Sequence, residues 1–379
     1  MIRIEVITIL PRMNSLKPQT QQFYFSRFVA AFIVFFYHFA QAPHYNVYPF
    51  SQSVVLNKIL TSGNIWVGYF FMLSGFIMSI AYSHKIKTLP TFIYYWLFRF
   101  IRIYPLYLCA LIIMLISFFK DTKNPYIHFF LIQSWFPEYI IDANLPAWSL
   151  SVEVFFYASF PFLVLFLKWV INRFSIRTSL FLFLSIFILL EGLNYAFPSI
   201  PVPIRQYDLF YVGAVLGMVI QVVKITISPL KNTFLFLVSI ITITWLMYIN
   251  EYQDINYSIF IIPFVGLHLC QLCLPQRIIN FLSHKTFILL GEISYGIYIL
   301  QWPVFHSINK ALQGTKLQEK VFSHIPETLM NYSIFLLLVA LAYYGYVYLE
   351  SPLRRIAKSY ISTYRISKQL LFIKQRIWK

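Results

Sequence analysis

The residues whose type and spacing point to chemistry lie inside apolar runs. Arg27-Phe-Val-Ala-Ala-Phe-Ile-Val-Phe-Phe-Tyr-His38 carries one guanidinium and one imidazole, with only apolar and aromatic side chains between them. In a helix, eleven positions at ~100° each return to within about 20° of one face, roughly 16 Å further along the axis. A charge at the centre of a spanning helix costs about 2.5–3.5 kcal/mol even on the lenient insertion scale, so such a residue normally faces a bundle interior or a wet cavity. The alternative is an Arg that snorkels to the interface beside a packed His. Near neutral pH an imidazole is the side chain best tuned to take a proton from a hydroxyl.

A carboxylate is expected to join it. Leu145-Pro-Ala-Trp-Ser-Leu-Ser-Val-Glu153 opens a further apolar run that continues through Phe155-Phe-Tyr157. Pro146 and Ser149 make a helix start, which puts Glu153 just over one turn into the membrane. His38 and Glu153 then each lie about six residues, roughly 9 Å, outward of their span midpoints. They are expected to meet at one depth as an acid/base pair; the alternative is a Glu that only caps a helix start.

Arg99 and Arg102 are three apart and share a helix face. Two adjacent guanidiniums suit a phosphate-rich ligand, against the alternative of headgroup contact. Arg205 and Asp208 are expected to form a salt bridge. Further on, Leu290-Gly-Glu-Ile-Ser-Tyr-Gly-Ile-Tyr-Ile-Leu-Gln-Trp-Pro303 places Tyr295, Tyr298 and Gln301 at helical spacing, facing one cavity, with a kink at Pro303.

Composition fixes the setting for these residues. The 379-residue chain is 59% hydrophobic and only 11% charged, where a soluble domain is nearer a quarter charged. The expected class is an all-α polytopic membrane protein. Ten spans are read at about 23–42, 63–83, 103–119, 147–169, 178–197, 207–223, 232–249, 256–274, 286–308 and 329–350. Residues 90–102 read as an interfacial amphipathic helix leading into the third span. The apolar stretch 126–136 is too short to cross and is expected to re-enter or lie on the surface. Residues 1–22 lack the apolar core of a signal peptide and carry no clear element; Met13 is an alternative start. The domain division is thus a cytoplasmic segment 1–22, a ten-helix domain 23–350 and a basic cytoplasmic tail 351–379.

The net charge of +17 does not point to nucleic acid, because no basic cluster interleaves with aromatics in a soluble segment. With the N-terminus inside, 22 of the 30 Lys and Arg fall in inner segments and 7 in outer ones. That asymmetry expects both termini in the cytoplasm. Cys109, Cys270 and Cys273 all sit in apolar runs, so neither a disulfide nor a metal site is expected, although Cys270-Gln-Leu-Cys273 has metal-like spacing near His268.

Taken in order, these residues resemble the acyltransferase-3 family of integral-membrane acyltransferases. The markers are Arg27 with His38, Phe-Phe-Met-Leu-Ser-Gly-Phe at 70–76, Arg99 and Arg102 before Ile-Tyr-Pro105, Trp148 to Glu153, Gly-x-Ile-Ser-Tyr-x-x-Tyr at 291–298, and Glu350 with Pro352. They run from about residue 23 to 356. The resemblance implies transfer of an acyl group, most often acetyl, from cytoplasmic acyl-CoA to a hydroxyl of a surface polysaccharide or lipid-linked glycan. It implies a bacterial inner membrane and acetyl-CoA as a co-substrate, with no permanently bound cofactor. Arg27, Arg99 and Arg102 would hold the donor phosphates. His38 would be general base or transient acyl carrier, with Glu153 orienting or protonating it. Trp148, Ser149, Tyr157, Arg205, Tyr295, Tyr298 and Gln301 would support the acceptor side. The family commonly has His where Gln301 stands, and Gln can only hydrogen-bond. The rival classes are a polysaccharide polymerase or flippase and a non-catalytic scaffold; binding of acetyl-CoA separates the enzyme from both.

The charge asymmetry is testable directly. A C-terminal tag is expected to report cytoplasm, and residues 120–145 and 309–328 to be labelled from outside; a tail tag that reports outside contradicts the orientation.

Overall fold

The computed structural model describes residues 3–6, 20–41, 53–118, 122–249, 257–312 and 327–360. In lipid every backbone polar group must be satisfied within its own segment, so long apolar runs become helices. The chain opens with a strand, β1 (Arg3–Val6), and then α1 (Phe23–Gln41), α2 (Val54–Thr61), α3 (Ile65–Tyr82) and α4 (Leu89–Phe118). The short α5 (Pro125–Phe129) precedes α6 (Ala147–Arg173), α7 (Ile176–Ala196), α8 (Val202–Arg205), α9 (Tyr207–Val219) and a second strand, β2 (Val223–Thr226). After these come α10 (Pro229–Ile249), α11 (Ile261–Leu272), α12 (Gln276–Leu282), α13 (Lys285–Leu312) and α14 (Glu327–Gly345). A π turn over Tyr346–Glu350 carries α14 into a last helical stretch that reaches residue 360.

Among the described residues, seven helices are long and apolar enough to cross a membrane: α3, α4, α6, α7, α10, α13 and the Tyr332–Tyr360 helix. The stretch Tyr257–Leu272 and α12 make an eighth candidate bent by 100°. Helix α1 is apolar but shorter, over Phe23–Phe39, and α9 has 13 residues. Helices α3 and α13 are the most buried of the long ones and form the centre; α7 and α10 are peripheral. The peripheral pair turn Ile188, Leu189 and Ile241 outward, as expected where the surrounding solvent is hydrocarbon.

Two details depart from the sequence expectations, and the 126–136 stretch, too short to cross as expected, takes a definite form. Residues 90–102 are not a separate surface helix: α4 runs unbroken through them and through Pro105. Residues 3–6 do form an element, pairing antiparallel with β2 in the register Arg3↔Thr226 to Val6↔Val223. The 126–136 stretch is a short helix followed by 3₁₀ turns at Gln133–Trp135 and Pro137–Tyr139, packed onto its neighbours. Tyr107 Oη donates to the His128 carbonyl (2.6 Å), Gln133 Nε2 to the Ala147 carbonyl (2.8 Å) and Ser134 Oγ to the Trp148 carbonyl (2.6 Å). Its His128 lies 3.4 Å from Asp142. Burial pushes the imidazole pKa down, and the hydrogen bond to Asp142 pulls it back up.

Close backbone contact joins α3 to α9. A Cβ on Gly75 would overlap the Phe210 carbonyl, and one on Gly213 the Met72 carbonyl. The Ser74-Gly75 pair therefore has two uses: Gly75 admits α9, and Ser74 turns to a cavity.

Prolines inside spans free carbonyls that other elements then satisfy. Proline has no N–H, so the carbonyl four residues earlier loses its helical partner. For Pro161 that carbonyl is Tyr157's, and it accepts from Trp96 Nε1 at 3.0 Å. For Pro303 it is Ile299's, and it accepts from the buried Asn144 Nδ2 at 3.1 Å. Asn144→Ala is therefore expected to destabilise the protein by about 1–3 kcal/mol, the cost of a buried polar group left unpaired. In a Pro303→Ala background the restored N–H should remove most of that cost. Thermal unfolding in detergent of the two single variants and the double measures both; equal losses in the two backgrounds would contradict the assignment.

Candidate active site

A central, partly open cavity lies between α1, α3, α4, α6 and α13. Its polar lining is Arg27, Ser74, Arg99, Arg102, Ser149, Glu153, Tyr157, Ser294, Tyr295 and Tyr298. The three arginines arrive from two helices. Arg27 stands one turn into α1. Arg99 and Arg102 stand on one face of α4, well inside it because the helix begins ten residues before Arg99. A guanidinium inside an apolar bundle needs compensation, and aromatic faces and carboxylates supply it. The Arg99 guanidinium lies 4.8 Å from the Tyr82 ring centroid, 5.5 Å from Tyr157 and 5.8 Å from Tyr95. Its Nε is buried without a hydrogen-bond partner. Arg102 interacts electrostatically with Glu292 and Glu350, and Arg27 with Glu292.

Glu153 enters this cavity one and a half turns into α6. It accepts a hydrogen bond of 2.5 Å from Tyr157 Oη, one turn on, and lies within the field of Arg27, Arg102 and Arg99. The pairing with His38 expected from depth is not formed: Glu153 faces the arginines. Equal depth on two helices says nothing of azimuth, and three guanidiniums attract a carboxylate more strongly than one imidazole does.

His38 does not line this cavity. It is buried against α13, with Trp302 at 6.1 Å between ring centroids. Its polar neighbours are the Gln301 side chain and the Val34 carbonyl. Gln301 is fully buried and donates its Nε2 to the Tyr298 carbonyl at 2.8 Å. Tyr298 links the two regions. Its hydroxyl lies 2.8 Å from Ser149 Oγ and donates to the Pro146 carbonyl at 2.9 Å. So His38 and Gln301 sit on the opposite side of the Tyr298 turn of α13 from the arginines' half of the cavity, joined to it through one helix.

The remaining expected residues divide. Tyr295 lines the cavity and donates to the Ile103 carbonyl at 2.6 Å. Trp148 does not line it and packs its ring 6.1 Å from Phe71. Arg205 is outside it, and the expected ion pair with Asp208 is absent among the described residues. Asp208 instead accepts from Ser258 Oγ at 2.9 Å and from its neighbour's N–H, Leu209, at 2.7 Å, because its carboxylate turns inward at the start of α9.

The sequence reading missed two residues that lie within electrostatic range of the arginines. Glu292 lies one turn before Tyr295 on α13, and Arg354 donates to it from the helix that follows the π turn. The signal was present: an acid one helical turn from a cavity-facing Tyr belongs to the same face. Glu350 closes the π turn, buried to 2% exposure. Among the described residues no group of three or more His, Cys, Asp or Glu could hold a metal.

The acyltransferase-3 family model, an acyltransferase domain, matches residues 24–349. The chain is 37% identical over 151 residues to the acyltransferase MdmB of Streptomyces mycarofaciens, covering 36% of each. It is 25% identical over 337 residues to the O-acetyltransferase OatA of Staphylococcus aureus, covering 78% of this chain and 53% of OatA. It thus spans about a third of the one relative's length and about half of the other's. No solved structure matches it. The family match takes in the helices that carry Arg27, His38, Arg99, Arg102, Glu153 and Tyr298, and the chain belongs to the acyltransferase-3 family.

Proposed function

We propose that this protein is a membrane O-acyltransferase that moves an acyl group, acetyl above all, from acyl-CoA to a hydroxyl of a surface polysaccharide or lipid-linked glycan. The observation that carries this reading is the cavity in which Arg27, Arg99 and Arg102 converge in a chain of the acyltransferase-3 family. Guanidiniums present fixed N–H forks that match phosphate oxygens, and the unpartnered Arg99 Nε leaves a donor unused. The CoA phosphates would sit there, with the pantetheine arm running along the ~16 Å that separates Arg27 from His38 on α1.

At His38 the acceptor hydroxyl gives its proton to the imidazole. The hydroxyl oxygen attacks the thioester carbonyl carbon, the carbon–sulfur bond breaks, and the CoA thiolate leaves and recovers the proton. Gln301, the polar side chain beside His38, would hold the imidazole or the acceptor. Glu153 belongs with the donor half of the site, balancing the arginines through Tyr157.

The same reading takes all ten apolar segments as spans, with both termini in the cytoplasm of a bacterial inner membrane. The strand pair supports the parity: residues 3–6 and 223–226 share one side, which needs an even number of crossings between them. Counting α1, α3, α4, α6, α7 and α9 gives that.

Two outcomes are expected in cells, read by mass spectrometry of the glycan and normalised to membrane-inserted protein. His38→Ala should lower acylation by about a hundredfold or more, the usual contribution of a general base; near-normal acylation would end its role as base. In purified protein, Arg99→Ala with Arg102→Ala should weaken acyl-CoA binding by about tenfold or more and leave acceptor binding near normal. Unchanged acyl-CoA affinity in inserted protein would return that pair to helix packing.

A further inference from the structure

Close to two of the arginines that line the cavity, though outside its lining, lies a carboxylate, a group that asks for the same donors as a phosphate. Glu292 is within electrostatic range of both Arg102 and Arg27. A carboxylate and a phosphate ask for the same N–H donors, so a Glu292 free to turn would occupy the two guanidiniums itself. It is not free to turn: besides a hydrogen bond with Tyr24, it is held by Arg354. Arg354 donates from Nη1 and from Nη2 to the same oxygen, Oε2, at 2.9 Å each. Arg354 is in turn seated on the Tyr346 ring, 5.2 Å from its centroid. Both partners keep little exposure, 13% for the Glu292 side chain and 22% for Arg354, so screening by water is limited.

We propose that Arg354 is a positioning residue for the donor site: it holds Glu292 to one side, so that Arg27 and Arg102 stay available to the phosphates of an acyl-CoA. Arg354 itself need not touch the donor. The inference rests on the assignment of the arginine cavity to that donor. It gives the helix after the π turn a task beyond closing the bundle. That task is to set the charge that the cavity presents.

A plain structural tie between α13 and the last helix predicts something different. Breaking a tie from either end has the same consequence, whereas removing a guard and removing what it guards against have opposite ones. The test is steady-state kinetics with acetyl-CoA on the full chain in nanodiscs, for wild type, Arg354→Gln, Glu292→Gln and the double variant. Arg354→Gln is expected to raise KM for acetyl-CoA about tenfold, equivalent to ~1.4 kcal/mol. Its kcat should stay within about twofold, since uniform binding is what is lost. With Glu350 still facing Arg102, Glu292→Gln in inserted protein should give a KM at or below that of wild type, and the double variant should return close to wild type. Arg354→Lys, which keeps the charge and loses the fork, should fall between wild type and Arg354→Gln if the glutamine variant inserts poorly. A Glu292→Gln variant impaired as much as Arg354→Gln, with no rescue in the double, would overturn the proposal and leave a structural tie. A wild-type enzyme with no saturable dependence on acetyl-CoA would instead overturn the donor assignment itself.

Discussion

Three guanidiniums inside an apolar helix bundle are the constraint on which the rest of this structure depends. Removing an ion from water costs several kcal/mol even after relaxation, and the cost is met only when other groups are arranged around the charge. Here that arrangement draws on most of the long central helices. Tyr82 from α3, Tyr95 from α4 and Tyr157 from α6 surround Arg99. Glu292 from α13 and Glu350 from the π turn after α14 face Arg102. Moving any of these helices by a turn would leave a buried charge without compensation. The cavity therefore fixes the relative register of α1, α4, α6, α13 and the last helix as firmly as apolar packing does.

A second consequence is a division of the site along α13. Charge is collected on one side, around the arginines, while His38 and Gln301 are buried further along, His38 beside Trp302. Tyr298 bridges the two through Ser149 and the Pro146 carbonyl. Under the proposed function, such a separation would let a charged acyl donor and an acceptor hydroxyl enter from different directions. It also keeps the imidazole away from three positive charges, which would disfavour its taking up a proton. The segment between α4 and α6 is anchored to α13 by Asn144, whose amide satisfies the carbonyl that Pro303 frees. A proline that reads in sequence as a kink is thereby also a docking point.

Much of this was legible in the sequence, and the limits have physical causes. Polar residues in apolar runs are costly, so Arg27, Arg99, Arg102, Glu153 and Tyr295 were conspicuous, and the structure collects all five at one cavity. Depth along a helix follows from counting residues, but azimuth depends on partners elsewhere in the chain. Depth alone paired Glu153 with His38; the field of the arginines turned Glu153 to Tyr157 instead. Glu292 and Arg354 escaped notice because each lies near a span end, where charge is cheap and unremarkable by itself. Their pairing is a tertiary fact between residues 62 positions apart. The length of α4 escaped for a related reason: residues 90–102 read as a surface helix, yet packing against α6 and α13 carries one helix through them and through Pro105.

The central claim is that the arginine cavity receives the phosphates of the acyl donor. The most direct measurement is an experimental structure of the protein in a lipid nanodisc with CoA bound. The account predicts phosphate density within hydrogen-bond distance of Arg99 and Arg102, with the pantetheine arm extending along α1 toward His38. Phosphate density at another surface, with the Arg99 and Arg102 guanidiniums still enclosed by Tyr82, Tyr157 and the carboxylates, would contradict it.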